Sequence, residues 1–132
     1  MTADFDWVKA RSECSLAVIF ERLKVQLQQD VETRQSLRGP GPFYEYGFKL
    51  VIEGRSVAVV LEGARALHDS VLFRLTETAI EITDRNGQVT LSATPTVSDD
   101  GECRLKVDGQ ERELWQVRKL ALEPMFFSEN TR

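Results

Sequence analysis

Residues 39–54 read GPGPFYEYGFKLVIEG, and within this stretch the hydrophobic periodicity of the chain changes from a helical to a strand pattern. Before it, apolar residues recur every three or four positions. After the Gly/Pro cluster they recur at every second position. Glycine commonly ends a helix and proline cannot continue one, so the cluster marks a helix terminus. The stretch therefore predicts a long helix followed by a strand, which places the chain among proteins of mixed α and β structure.

The segment upstream of this point predicts a long amphipathic helix over about residues 4–38. Its apolar residues recur at spacings of three and four, which places them on one stripe: Leu16, Ile19, Phe20, Leu23, Leu27 and Val31. Asp4 or Asp6 is positioned to cap the start of the helix. The more polar stretch 8–14 predicts a late start or a break near Ser12.

The segment downstream, over about residues 43–107, predicts short strands separated by tight turns. The first strand turns alternate side chains to one face: Tyr44, Tyr46, Phe48, Leu50 and Ile52. Turn signals follow at Gly54-Arg55, Asn86-Gly87 and Asp108-Gly109. Strands joined by tight turns pair antiparallel, so we predict an antiparallel meander sheet of five or six strands, with the N-terminal helix packed across its apolar face.

The C-terminal segment 111–124, ERELWQVRKLALEP, is compatible with either a strand or a helix. As a strand it has no apolar face, whereas as a helix it aligns Leu114, Val117 and Ala121. We therefore predict a short C-terminal helix over about residues 111–123, ended by Pro124. The whole chain, residues 1–132, is predicted to be a single α+β domain.

Composition and charge exclude several classes of partner. The 132 residues carry a formal net charge of −4, and basic residues are interspersed with acidic ones, so we expect no nucleic-acid partner. No apolar run approaches a membrane span, and the N-terminus MTADFDW lacks the features of a secretory signal. Cys14 and Cys103 are far apart and resemble no disulfide framework. These features predict a cytoplasmic protein with no membrane partner.

Residue patterns typical of catalysis or metal binding are missing from the sequence. The single histidine, His68, has Asp69 beside it but no recognisable nucleophile. Two cysteines and one histidine are too dispersed for a zinc site, and no glycine-rich phosphate loop is found. We therefore expect no catalytic residues, metal or cofactor, and the balance favours a protein that is not an enzyme.

Two hypotheses about function follow from these patterns. The first is a protein-interaction domain of the adaptor or chaperone-like kind, which binds another protein or forms a homodimer. Its interface would lie on the second face of the sheet, at Phe43, Val51 and Val60. The alternative is a small-molecule-binding protein or enzyme, with a pocket between the aromatic strand 43–52 and a helix. The residues expected to contact that ligand are Tyr44, Tyr46, His68 and Trp115.

Overall fold

The computed structural model describes residues 4–37, 47–63 and 67–127, except for the side chains of Leu67 and His68. Within these ranges the chain forms three helices: α1 (Trp7–Glu13), α2 (Leu16–Leu37) and α3 (Leu114–Phe126). Seven strands lie between α2 and α3: β1 (Gly47–Glu53), β2 (Ser56–Glu62), β3 (Leu67–Leu75), β4 (Ile80–Thr83), β5 (Val89–Val97), β6 (Cys103–Val107) and β7 (Gln110–Arg112). The predicted α+β architecture is confirmed, with seven strands where five or six were expected.

The sheet is an antiparallel meander in which the strands follow one another in chain order from β1 to β7. Tight turns fix its register. Gly54, between β1 and β2, has a φ of +55°, as glycine does at the first central position of a type II′ turn. Asp108 and Gly109, between β6 and β7, both have positive φ, which is the pattern of a type I′ turn. Strands β1 and β7 form the two edges.

The hydrophobic core lies between one face of the sheet and helices α2 and α3. The predicted stripe of α2 is buried there, with Leu16 partly buried at its start and five residues deeper: Ile19, Phe20, Leu23, Leu27 and Val31. Helix α3 adds Val117, Leu122, Met125 and Phe126 to the same core. Both helices therefore pack on the same face of the sheet and contact each other.

The N-terminal helix is divided in two, because the chain breaks its helical geometry at Cys14 and Ser15. Asp6 caps α1 by accepting a hydrogen bond from the backbone N–H of Lys9 at 3.0 Å. The Ser15 hydroxyl accepts one from the N–H of Val18 at 3.2 Å, which caps α2. The predicted cap at Asp6 is confirmed, and the break expected near Ser12 lies slightly further along the chain.

The C-terminal helix begins and ends later than predicted. Residues 110–112 form β7 and pair with residues 105–107 of β6, so the helix starts at Leu114 rather than near Glu111. The backbone N–H of Glu113 donates to Oε1 of Gln116 at 2.8 Å, which fixes that start. Pro124 does not end the helix. Met125 and Phe126 remain helical because their burial in the core outweighs the backbone hydrogen bond that proline removes.

A disulfide joins Cys14 to Cys103, and the expectation of two unpaired thiols is therefore wrong. The Cα atoms lie 5.5 Å apart, and the bond links residues separated by 89 positions. Cys14 is fully buried at the junction of α1 and α2, while Cys103 begins β6 and is exposed. The pairing could not be predicted from the sequence, because two cysteines alone carry no spacing pattern. Only the break between the helices and the packing against the sheet bring them together.

Candidate functional site

Of the four residues predicted to contact a ligand, the structure describes Trp115 in full. Tyr44 and Tyr46 lie outside the described residues, and so does the side chain of His68, whose backbone belongs to β3. The fourth residue, Trp115, lies in the first turn of α3, and 52% of its surface is exposed. Its indole N–H donates to the carboxylate of Glu113 at 2.9 Å. Trp115 is therefore a surface aromatic, held at the end of a helix by a neighbouring carboxylate.

The predicted interface residues lie on the sheet face opposite the helices, apart from Phe43, which is outside the described residues. Val51 pairs with Ala58, and Ala58 pairs with Leu72 on the next strand. Together with Val60, these residues form an apolar patch on this side of the sheet, here called the outer face. Val60 is not part of the core formed with α2 and α3, yet only 8% of it is exposed. Val51 is half-buried. The outer face is thus apolar but already partly enclosed by its own neighbours.

A groove of about 370 Å³ runs between α2 and α3, and we call it the helix groove. One face of α2 and one face of α3 line it, and the lining residues of each helix recur mainly at intervals of three or four positions. Helix α2 contributes Asp30, Thr33, Arg34 and Leu37. Helix α3 and the residue after it contribute Trp115, Arg118, Lys119, Leu122, Glu123, Phe126 and Phe127. Two of the apolar residues that line the groove are largely exposed: Leu37 at 75% and Phe127 at 61%.

An ion pair between the helices forms one end of the groove. Nη1 of Arg118 donates to Oδ2 of Asp30 at 2.6 Å, and both side chains are partly buried. Nε of Arg118 is buried as well and has no hydrogen-bond acceptor among the described residues. Burying a donor without an acceptor is unfavourable, so, as far as the described residues show, this atom lowers the stability gained from the ion pair.

Arg34 organises the opposite end of the groove. Its Nε donates to the backbone carbonyl of Phe126 at 2.8 Å, which ties α2 to the last turn of α3. The guanidinium carbon lies 4.8 Å from the centre of the Phe127 ring and 5.8 Å from that of Phe48. Such cation–π contacts favour a fixed arrangement of the arginine and the aromatic rings. The apolar end of the groove is therefore built around a positively charged side chain.

A second depression, of about 500 Å³, lies between α2 and β1. Helix α2 contributes Val31 and Gln35 to it, and β1 contributes Phe48 and Leu50. Oε1 of Gln35 accepts the backbone N–H of Phe48 at 2.8 Å, so α2 and the edge strand are joined at this point. This is the region where the sequence predicted a small-molecule pocket. Tyr44, Tyr46 and the side chain of His68 fall outside the described residues, and Trp115 lines the helix groove instead.

Sequence reasoning missed Asp30, Arg34 and Arg118 as site residues. A signal was present on each helix, because residues 30, 33, 34 and 37 share one face of α2 and residues 115, 118, 122 and 126 share one face of α3. Each face mixes charged with apolar side chains, which is unusual for a purely solvated face. Their meeting could not be read from the sequence, since Asp30 and Arg118 are 88 positions apart.

The described residues contain no group of three or more His, Cys, Asp and Glu side chains that could hold a metal ion. None of the helices in the described ranges combines the length and apolar character that a membrane crossing requires. Comparison with protein-family models, with curated proteins and with solved structures found no match. The function is therefore inferred from the geometry of this chain alone.

Proposed function

We propose that this protein is a non-enzymatic protein-interaction domain that binds a segment of a partner protein in the helix groove. The observation that carries the proposal is the exposure of Trp115, Leu37 and Phe127 along one groove that also holds charged side chains. Exposed apolar side chains gathered beside polar ones are typical of protein-binding surfaces. Tryptophan and arginine are also the residues that most often dominate binding energy at interfaces.

The shape of the groove favours a polypeptide segment over a small molecule. The helix rises by about 18 Å between Trp115 and Phe127, which matches about five or six residues of extended chain. Sites for small molecules usually enclose most of the ligand surface, whereas grooves that bind peptides remain open on one side. Trp115 in the first turn of α3 and Phe127 just after its last turn are both exposed, as expected for a ligand anchored at both ends of this helix.

A peptide-selection experiment tests this proposal. Peptides selected from a randomised displayed library on the purified protein should bind it in solution, and Trp115→Ala should weaken that binding by about tenfold or more. The matched control is Trp7→Ala, because Trp7 is 67% exposed but lies on α1, outside the helix groove. If selected peptides bind the Trp115→Ala protein unchanged, or lose affinity only with Trp7→Ala, the groove is not the binding surface.

Self-association through the outer face is the weaker form of the interaction hypothesis. Val60 is already buried within a single chain, and Val51 is half-buried, so a second copy would cover little additional apolar surface there. The helix groove presents more exposed apolar surface. We therefore keep the homodimer as a secondary proposal, which sedimentation of the purified protein over a range of concentrations would test.

The small-molecule alternative concerns the depression between α2 and β1. Phe48 and Leu50 line it together with Gln28 and Gln35, so apolar and amide groups face the same space. A ligand that binds only the folded protein raises its thermal midpoint. Screening a metabolite library by thermal shift, with Gln35→Ala as the site variant, distinguishes this alternative from binding in the helix groove.

The disulfide bears on where the protein acts. The expected cytoplasmic location was based partly on two unpaired cysteines, and that reason no longer holds. Disulfides persist mainly in oxidising compartments, so we propose an oxidising environment for the folded protein. Thiol titration of protein from its native source under alkylating, non-reducing conditions tests this proposal. Two reactive thiols per unfolded chain would restore the cytoplasmic prediction.

A further inference from the structure

We propose that the protein forms a homodimer by antiparallel pairing of β1 with β1 of a second copy, so that the two sheets become continuous. This inference goes beyond the proposed function, because it concerns the edge of the sheet and neither the helix groove nor the outer face. Three observations carry it: backbone groups of β1 that point away from the sheet, a charge pattern on β1 that complements itself, and an exposed apolar side chain near the depression between α2 and β1.

The two edge strands of the sheet differ in how well they are protected from pairing. Strand β7 has only three residues, all of them polar, and α3 begins shortly after it. Strand β1 has seven residues, GFKLVIE, and most of them are apolar. Short polar edges resist pairing with another chain, whereas longer edges with apolar residues accept it. Strand β1 is therefore the edge to which a further strand can be added.

The backbone groups of Leu50 and Ile52 point to the open side of β1. The backbone N–H of Phe48 donates to Oε1 of Gln35 at 2.8 Å, so it points away from β2. Because backbone groups alternate in direction along an antiparallel strand, those of Leu50 and Ile52 point the same way as that of Phe48. On this side they have no hydrogen-bond partner among the residues that the structure describes. A second strand can bond there without displacing any bond of these two residues.

The charges on β1 select one register for this pairing. When Leu50 lies opposite Ile52 of the second copy, the two-fold axis passes through Val51. In that register Lys49 of each copy lies opposite Glu53 of the other. These positions exchange no backbone hydrogen bonds between the copies, so their side chains approach closely, and opposite charges there stabilise the pairing. A shift of two residues in either direction keeps the same faces but loses both charge pairs.

Both charged side chains are accessible for these contacts. The Lys49 side chain is 57% exposed, and its ammonium group lies 3.3 Å from the carboxylate of Glu62 in the same chain. An ammonium group has three donors, so this exposed ion pair leaves Lys49 able to bind a second carboxylate. Glu53 is exposed and has no ion-pair partner in the part of the chain that the structure describes. The pairing therefore brings a cation to a carboxylate that has none.

An apolar contact on the other side of β1 favours the same register. Ile52 is 54% exposed, although it shares the core side of the strand with Leu50. Leu50 also lines the depression between α2 and β1. In the selected register, Ile52 of the second copy lies opposite Leu50 and next to this depression. Because the contact is isologous, the exposed isoleucine of each copy is covered at the same time.

An exchange of charges between the two positions tests the inference. We expect the natural chain to dimerise with a dissociation constant on the order of 10 µM, measured by sedimentation equilibrium. Lys49→Glu and Glu53→Lys each place like charges opposite one another in both pairs, so either variant alone should dimerise about tenfold or more weakly. An equimolar mixture of the two variants should regain the dimer, because every facing pair is again opposite in charge. The double variant should regain it for the same reason.

A matched control separates the contact from the general effect of charge. Lys106→Glu changes the net charge as much as Lys49→Glu does, at an exposed position on β6 and away from the β1 edge. It should change the dissociation constant by less than about twofold. Sedimentation is compared only among variants that keep the thermal midpoint of the natural chain. Lys49 and Glu53 are exposed, so we expect both single variants to meet this condition.

Amide hydrogen exchange, followed by NMR, locates the interface on the chain. The N–H groups of Leu50 and Ile52 should be protected at concentrations where the natural chain is dimeric, because the second copy then accepts their hydrogen bonds. In either single variant at the same concentration they should exchange rapidly. Rapid exchange of both groups in a dimeric sample would show that the copies associate through another surface, such as the outer face, and the inference would be wrong.

Three further results would overturn the inference. The first is a natural chain that remains monomeric at about 200 µM. The second is a mixture of the two single variants that dimerises no better than either alone, since the charge pairs then do not form. The third is protection of the Leu50 and Ile52 amides by the selected peptides in a monomeric protein, because β1 would then receive a segment of another protein.

The test is independent of the proposed function. Trp115 lines the helix groove and lies outside β1, so Trp115→Ala should weaken the binding of the selected peptides and leave the dimer unchanged. Failure of the charge exchange would therefore leave the helix groove as a proposed peptide site. Failure of peptide binding would leave the β1 dimer unaffected.

Discussion

In the turn between β5 and β6, hydrogen bonds to the carboxylate of Asp100 lower its pKa. Nη1 of Arg104 donates to Asp100 at 2.7 Å, and the backbone N–H of Glu102 donates to the same oxygen at 3.0 Å. These hydrogen bonds stabilise the charged form, with Arg104 the larger cause, and they hold the pKa of Asp100 below its ordinary value. The acidic cluster at residues 99–102 is therefore a turn closed by an arginine.

The pH dependence of this turn follows from the lowered pKa of Asp100. Because the folded value is below the unfolded one, the contribution of Asp100 to stability is present above the unfolded pKa and disappears as the pH falls through the folded pKa. NMR titration of the side-chain carboxyl should give a pKa below that of an unperturbed aspartate, and Arg104→Gln should raise it. An unchanged pKa in that variant would show that Arg104 does not cause the shift.

Helix α2 contributes leucine side chains both to the hydrophobic core and to the helix groove. Leu27 is fully buried against the sheet, whereas Leu37 is exposed at the end of the helix groove. Leu27→Ala should lower the free energy of unfolding by about 2–5 kcal/mol, because it removes buried contacts and leaves a cavity. Leu37→Ala should change it by less than about 0.5 kcal/mol, because it touches mainly solvent.

Urea denaturation of the two variants measures this contrast within one helix. Leu37→Ala should also weaken the binding of the selected peptides while the unfolding midpoint stays unchanged. A large loss of stability in the Leu37→Ala protein would mean that this residue belongs to the core. That result would remove one of the two apolar ends on which the proposed peptide groove depends.

Elements whose pattern is local could be predicted from the sequence. The apolar stripe of α2 could be predicted because burial on one face of a helix imposes a period of 3.6 residues. The β1–β2 hairpin could be predicted because glycine at position 54 suits its turn. Strand β7 was missed, since residues 110–112 become a strand only by pairing with β6. The groove was missed for the same reason, because it depends on how α2 and α3 lie against each other.

At the scale of the whole molecule, the disulfide closes a loop that contains α2 and the first five strands. Helix α1 precedes this loop and contributes no buried residue of its own. Cys14 links its C-terminal end to β6, and the ring of Phe5, just before its start, packs closely over Gly101 in the turn between β5 and β6. The covalent link thus connects the only described helix without a buried residue to the start of β6.

Removing the disulfide should destabilise the whole fold and not only α1. A bond that closes a loop of 89 positions limits the conformations of the unfolded chain, so replacing Cys14 and Cys103 by serine should lower the free energy of unfolding by about 2–4 kcal/mol. Urea denaturation of the oxidised protein, the reduced protein and the double serine variant measures the effect. Reductant should lower the midpoint of the natural chain but leave that of the variant unchanged. Equal midpoints for the oxidised and reduced forms would contradict a stabilising role for the bond.

In hydrogen exchange, residues 7–13 should lose protection on reduction before α2 does, since α2 retains its own buried stripe.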